Sequence, residues 1–268
     1  ASYHRCLLSL RMLYDRATGA FIAAPEFDPG YEMCGGYGYC WPRDACEAAL
    51  ALADAGYPEF LAGAAAWTIA AQLPGGVWGQ RYWCDGPVAS SWALREDFLQ
   101  LDESASALLL LCRAMEYAQA GEAGLPSAAP SALWTAIKLG AQALLDRLGP
   151  DGFHRPACDL WETCEGIFAY TQAGFAAALD AAARAATAAG EPDFAATCAD
   201  GAARARAATL SFYSGGYFAR GRYGGRLDVT ADSSALGLVT PFRILDLTDP
   251  QEREMVESAL LVLEKRLG

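Results

Sequence analysis

Two segments hold the residues whose types and spacing suit chemistry: GYGYCWPRDACEAAL (36–50) and, about a hundred residues on, CDLWETCEGIFAYT (158–171). In the first, Trp41-Pro42-Arg43-Asp44 puts a guanidinium and a carboxylate side by side at the start of a helical run. A forked donor beside an acceptor matches vicinal sugar hydroxyls, which both donate and accept. The plainer alternative is ordinary helix capping, with Pro42 in the first turn, Asp44 at the positive helix end and Arg43 in a surface pair. In the second, Asp159-Leu160-Trp161-Glu162 sets a carboxyl directly after an indole. An acid packed against indole loses solvation, so its pKa rises and it keeps its proton, as a departing glycosidic oxygen requires. The alternative makes Asp159 an N-cap and Glu162 its capping-box partner, a D-x-x-E pattern.

Aromatic residues collect around these groups. Trp41, Trp78, Trp83 and Trp92 lie in long loops or at their edges, with Tyr37, Tyr39 and Tyr82 nearby, whereas Trp67 and Trp134 fall inside helical runs. The loop tryptophans either plug loop packing or, as a group, wall a pocket for flat apolar ring faces.

The elements that must position these groups are helical. Apolar residues recur at helix spacing over 4–16, 43–56, 59–73, 102–120, 131–148, 168–190, 193–212, 232–239 and 250–267, and β-branched alternation is almost absent, so the expected class is all-α. Leu7, Leu8, Leu10, Met12 and Leu13 should form a broad apolar face on the first helix. Short turns at 56–58 and 190–192 alternate with long aromatic, glycine-rich loops at 17–42, 74–97, 149–167 and 213–231. That alternation predicts helical hairpins side by side with one decorated, functional face. No fixed repeat and no linker tract divides the 268 residues, so residues 1–268 read as one domain, an irregular helical toroid.

Composition narrows the partners. The net charge of −12 and the lack of a basic patch argue against nucleic acid and anionic membrane surfaces. Apolar runs fall short of the ~20 residues that a span needs. Nine cysteines, an odd number without a CxxC pair, suit reduced, buried thiols and a cytoplasmic setting, with secretion left open because the sequence starts at alanine and the lack of a leader proves little. With only His4 and His154 present, neither a zinc site nor any other metal or cofactor is expected, and a homo-oligomer stays open.

At YGYCWPRD (37–44) and DLWE (159–162), with Gly166 and Ala169-Tyr-Thr171 following, the chain resembles the glucoamylase family of inverting glycoside hydrolases, in its bacterial and archaeal branch. Weaker agreement runs through 9–27, QLDES (100–104) and DSSALGLVTPF (232–242), so the resemblance covers nearly the whole length. It implies an α/α toroid of six helical hairpins that releases glucose from the non-reducing ends of an oligosaccharide or small α-glucoside. It also implies roles: Glu162 as general acid; Arg43 and Asp44 on the hydroxyls of the terminal glucose; Tyr37 and Trp41 lining that subsite; Trp161 beside the acid; Gln100 and Asp102 near the site.

Two departures stand out. Thr163 occupies the place where members usually carry a second glutamate that contacts the next sugar, and by that position it is expected among the substrate-binding residues, as is Asp102. The family's general base lies near the C-terminal end of the toroid, and about nine helices are legible here against twelve. The resemblance therefore implies an incomplete toroid without its base and without the family's N-terminal β-sandwich. Asp44, Asp102 and Glu165 are the possible stand-ins for that base. The competing readings are a carbohydrate-binding relative that has lost the base, and a helical scaffold with no small-molecule site.

Overall fold

A computed structural model describes residues 2–26, 36–89, 99–121 and 129–268. The helices are α1 (Ser2–Met12), α2 (Pro42–Asp54), α3 (Pro58–Ala70), α4 (Leu101–Gln119), α5 (Ala129–Leu145), α6 (Ala169–Ala188), α7 (Pro192–Leu210) and α8 (Pro250–Leu267), with a 3-10 helix at Ser233–Leu238 before the last. Proline in the first turn of α2, α3, α7 and α8 supplies the helical φ at no hydrogen-bonding cost. Gly56 and Gly190, at φ 93° and 77°, reverse the chain after α2 and α6, where an L side chain would be strained.

The hairpins α2–α3, α4–α5 and α6–α7 stand side by side. Their first helices pack on one another, α2 on α4 and α4 on α6, and their second helices lie outside, which is the layering of an α/α toroid. The inner helices are buried almost all round, α4 from Leu101 to Cys112 and α6 over most of its length. Alanine makes this possible by letting helix axes approach. At Gly174 of α6 an added Cβ would already stand 3.2 Å from the Ala105 methyl of α4.

Three expectations need correction. Helix α1 has no fully buried residue; Leu7, Leu10 and Leu13 pack against the core while Leu8 and Met12 face outward, Met12 at 83% exposure. The face is narrower than composition suggested because only one side of α1 meets α2. The loops at 149–167 and 213–231 are not structureless. Strands β1 (Ala157–Cys158), β2 (Glu165–Phe168), β5 (Gly221–Tyr223) and β6 (Arg226–Asp228) make an antiparallel sheet in the order β1-β2-β5-β6, and β3 (Tyr213–Ser214) pairs with β4 (Tyr217–Phe218). Strands of two to four residues are too short to show alternation, but their turns are legible. Gly215-Gly216 and Gly224-Gly225 are all at positive φ, as two-residue hairpin loops demand. Finally, Trp78 and Tyr82 are wholly buried core residues rather than pocket walls, with the Trp78 Nε1 donating to the Thr68 carbonyl at 2.8 Å.

Among the described residues the cysteines are free thiols, no helix is long and apolar enough to cross a membrane, and no cluster of His, Cys, Asp or Glu could hold a metal ion.

Candidate active site

Helix α2 brings in the first half of the site. Arg43 is its second residue, so its side chain leaves the helix start toward the toroid centre. There it meets the first turn of α4: Nη1 lies 2.6 Å from Asp102 Oδ2 and 2.7 Å from Glu103 Oε1, the latter off the hydrogen-bonding direction. The Arg43 backbone N–H donates to Glu103 Oε2 at 2.7 Å, and Nη2 stands 3.5 Å from Asp44. Burial alone would lower the Arg43 pKa, but Glu103 and Asp102 reverse that and hold the guanidinium firmly charged. Burial pushes both carboxylates up in turn, Glu103 more strongly, against the pull of Arg43. The candidate residues therefore separate: Arg43 and Asp44 line a cavity, whereas Asp102 is fully buried against Arg43 and does not line it.

The second half is a turn between β1 and β2. Asp159 is buried, and its carboxylate accepts from the backbone N–H of Thr163 at 2.6 Å and of Cys164 at 2.9 Å, and from Thr163 Oγ1 at 3.0 Å. Gln100 Nε2 donates to the Asp159 carbonyl at 3.0 Å, and Arg220 Nη2 approaches its carboxylate at 3.3 Å. Glu162 stands in this stapled turn at φ +59°, a left-handed conformation that costs a non-glycine residue roughly 1–2 kcal/mol. No helix begins here, so the capping-box alternative fails: Asp159 does tie off backbone N–H groups, but those of a turn, and Glu162 is left to face the cavity. Thr163 turns the other way, onto Asp159, and does not line the cavity.

The cavity between the two halves has a volume of about 560 Å³. Tyr37, Trp41, Arg43, Asp44, Trp161 and Glu162 all line it, and so do Glu47, Arg81 and Tyr170, which the sequence did not single out for roles. Burial raises the Glu162 pKa; polar contacts from Trp41 and Gln80 and the charges of Arg43 and Arg81 offset only part of this. The indole that meets the Glu162 carboxyl is thus that of Trp41. Trp161, the sequence neighbour expected to play that part, is 52% exposed at the rim and donates Nε1 to Asp232 at 2.9 Å. Asp232 also accepts from Ser234 N, so one carboxylate fixes the rim indole and caps the 3-10 helix.

Tyr37 lies 6.1 Å from the Trp41 ring, and the Arg81 guanidinium stacks 4.5 Å over Tyr39 and 5.5 Å from Trp41. Trp83 packs on Tyr39 from a neighbouring cleft, and Trp92 lies outside the described residues. Glu47 accepts from the Tyr170 hydroxyl at 3.1 Å, and burial raises its pKa. Glu165 sits on β2 and does not line the cavity. His154 is buried between the Arg155 carbonyl and the Phe168 N–H, with its pKa pushed down to about 4, so it is a neutral structural residue. A larger cavity of about 840 Å³ between α2, α4, α6 and α7 shares Glu47, Thr240 and Pro241 with the first but holds none of the sequence-predicted site residues.

Glu103 was legible only as part of LDES, and Glu47 as one more polar residue on α2, one turn beyond Arg43. The spacing from 43 to 47 places both on one helix face, which is a usable signal. Arg81 carries no local signal, because tertiary contacts alone bring it to the cavity, and Asp232, at the start of the weakly matching 232–242 segment, acts from outside the lining through Trp161.

Solved structures with this fold include a bacterial glucoamylase complexed with acarbose, at TM-score 0.75 and 20% identity over 98% of this chain and 39% of that one. A glycosidase in complex with glucose aligns at TM-score 0.72 and 21% identity over 99% of this chain and 69% of that one. A glucoamylase from Saccharomycopsis fibuligera aligns at TM-score 0.73 and 17% identity over 96% and 60%. The chain thus spans about two fifths to two thirds of the length of these structures. No curated protein matches it. The family model of the glycosyl hydrolases, family 15, matches residues 1–72 and 95–263, and the chain belongs to that family of glycoside hydrolases.

Proposed function

We propose that this chain carries the acid half of an exo-acting, inverting α-glucosidase site that releases glucose from the non-reducing ends of oligosaccharides. The observation that carries the reading is that Glu162, its pKa raised by burial, lines one cavity together with Arg43 and Asp44. Arg43 and Asp44 grip paired hydroxyls of the terminal glucose, and Tyr37 and Trp41 offer their rings to its apolar face. Glu162 then donates its proton to the departing glycosidic oxygen.

Inversion needs a second carboxylate, roughly 6.5–9.5 Å from the acid, to activate water. Of the possible stand-ins, Asp102 is buried under Arg43 and Glu165 lies off the cavity; Asp44 lines it but is engaged with Arg43. Glu47 lines it too, yet burial raises its pKa, which suits an acid better than a base. We assign no base among the described residues. That supports a second reading, a chain that binds the sugar without turning it over.

Replacing Glu162 with Gln separates these readings. Under the hydrolase reading, glucose release with inversion at the anomeric carbon falls by a factor of 10² or more while acarbose binding by calorimetry is kept. Acarbose binding by the parent chain without any glucose release favours the binding reading. Undiminished release by the variant removes Glu162 from the mechanism.

A further inference from the structure

We propose that Cys40 and Cys84 are a modification site: a dithiol that a peroxide closes to a disulfide, stapling the Tyr39–Trp41 segment to the turn beyond Tyr82. Their sulfurs stand 3.7 Å apart as a thiol–thiol hydrogen bond. Both backbones are held in register. Cys40 and Tyr82 exchange N–H···O bonds at 2.9 and 2.8 Å, and Trp67 Nε1 donates to the Cys84 carbonyl at 3.0 Å. The turn after Cys84 is closed by Gly86 N donating to Trp83 O and by Trp83 N donating to Pro87 O, both at 2.9 Å. Side-chain torsion is the freedom that remains, and it has only to shorten the sulfur separation by about 1.7 Å to reach a disulfide bond length.

Access is one-sided. Cys40 is fully buried, whereas Cys84 lines an open cleft with Asp15, Thr18, Gly38 and Trp83. The order of events follows. The Cys84 sulfur attacks hydrogen peroxide, an S–O bond forms as the O–O bond breaks, and water leaves. The Cys40 sulfur then displaces the sulfenic oxygen, an S–S bond forms as the S–O bond breaks, and a second water leaves. Two thiols are oxidised and one peroxide is reduced. Burial raises the pKa of both thiols, which keeps thiolate scarce near neutrality and makes closure slow there and faster as pH rises.

The test uses the full chain and no sugar, so it stands apart from the glycosidase reading. The protein is treated with hydrogen peroxide, alkylated in denaturant, cut with trypsin and examined unreduced by mass spectrometry. Cleavage after Arg16, Arg43, Arg81 and Arg95 yields peptides 17–43 and 82–95. These should appear joined, with fragmentation placing the bridge at Cys40, and should separate on reduction and in Cys84→Ser. The melting temperature of the oxidised protein should rise by several degrees and fall back with dithiothreitol. Cys84 recovered as sulfinic acid beside alkylated Cys40, or joined to Cys34 instead, overturns the proposal. A bridge that leaves the melting temperature unchanged overturns the stapling.

Discussion

The two halves of the cavity are built by opposite means. Arg43 stands on a helix and is held from below by two buried carboxylates of α4, so its position follows from the packing of the inner helices. Glu162 stands on a turn between two short strands, held by one buried aspartate and by a left-handed backbone. The Arg43 half is therefore as stiff as the toroid itself, while the Glu162 half depends on a few local bonds. Damage to the first should register in folding, and damage to the second in chemistry.

The largest expected break is on the stiff side. Arg43→Leu strands Asp102 and Glu103 in the interior without a cation, and loss of one member of a buried ion group costs about 3–5 kcal/mol. Urea unfolding should show this as a lower midpoint at unchanged slope. A variant as stable as the parent would mean that the two halves do not differ in the way described.

On the other side, Asp159→Ala removes the acceptor for two backbone N–H groups and a hydroxyl. It should cost about 1–3 kcal/mol, less than Arg43→Leu, yet remove as much glucose release as Glu162→Gln. Measuring stability and turnover on one preparation checks the split.

Glu162→Gly relieves the left-handed strain at the expense of the carboxyl. It should unfold at slightly higher urea, by about 1 kcal/mol or less, once the added flexibility of glycine is offset.

The smallest effect is one of pH. Burial raises the Glu162 pKa above its unfolded value, so its ionisation opposes folding. Its stabilising contribution is complete below the unfolded glutamate pKa and is lost as pH rises through the higher folded one. Glu162→Gln should therefore melt higher than the parent at pH 7 and converge with it at pH 4. Under the proposed role of Glu162 as proton donor, turnover has the same sign: activity should persist above the ordinary glutamate range and fall as pH climbs past the raised value. A parent and variant that melt in parallel at both pH values would show that the turn leaves Glu162 solvated.

How far the sequence reaches also divides along this line. The helices were legible within a few residues, because apolar spacing and first-turn prolines are local. The side-by-side hairpins followed from alternating short and long connections, whereas their layering into inner and outer helices is seen only in the packing. The paired segments at 36–50 and 158–171 do meet at one cavity. What escaped was tertiary. The partners of Arg43 come from a helix start about sixty residues away, and only the fold shows that they are beneath it rather than beside it. Adjacency misled at Trp161, because the left-handed turn at Glu162 sends neighbouring side chains apart and a distant indole, Trp41, takes the expected place. Thr163 stands at a substrate-contacting position by resemblance, whereas its hydroxyl belongs to the Asp159 staple. The double-glycine hairpins at 215–216 and 224–225 carry a turn signature, but strands of two or three residues leave no alternation around it.

Asp232 ties the rim to the loop that follows β6, since the same carboxylate receives the Trp161 indole and opens the 3-10 helix. The position of the rim indole is thereby inherited from a stretch of chain remote in sequence from Glu162. If the proposed function holds, substitutions across 229–234 should change ligand preference by moving Trp161 while the Asp159-stapled turn that carries Glu162 stays in place.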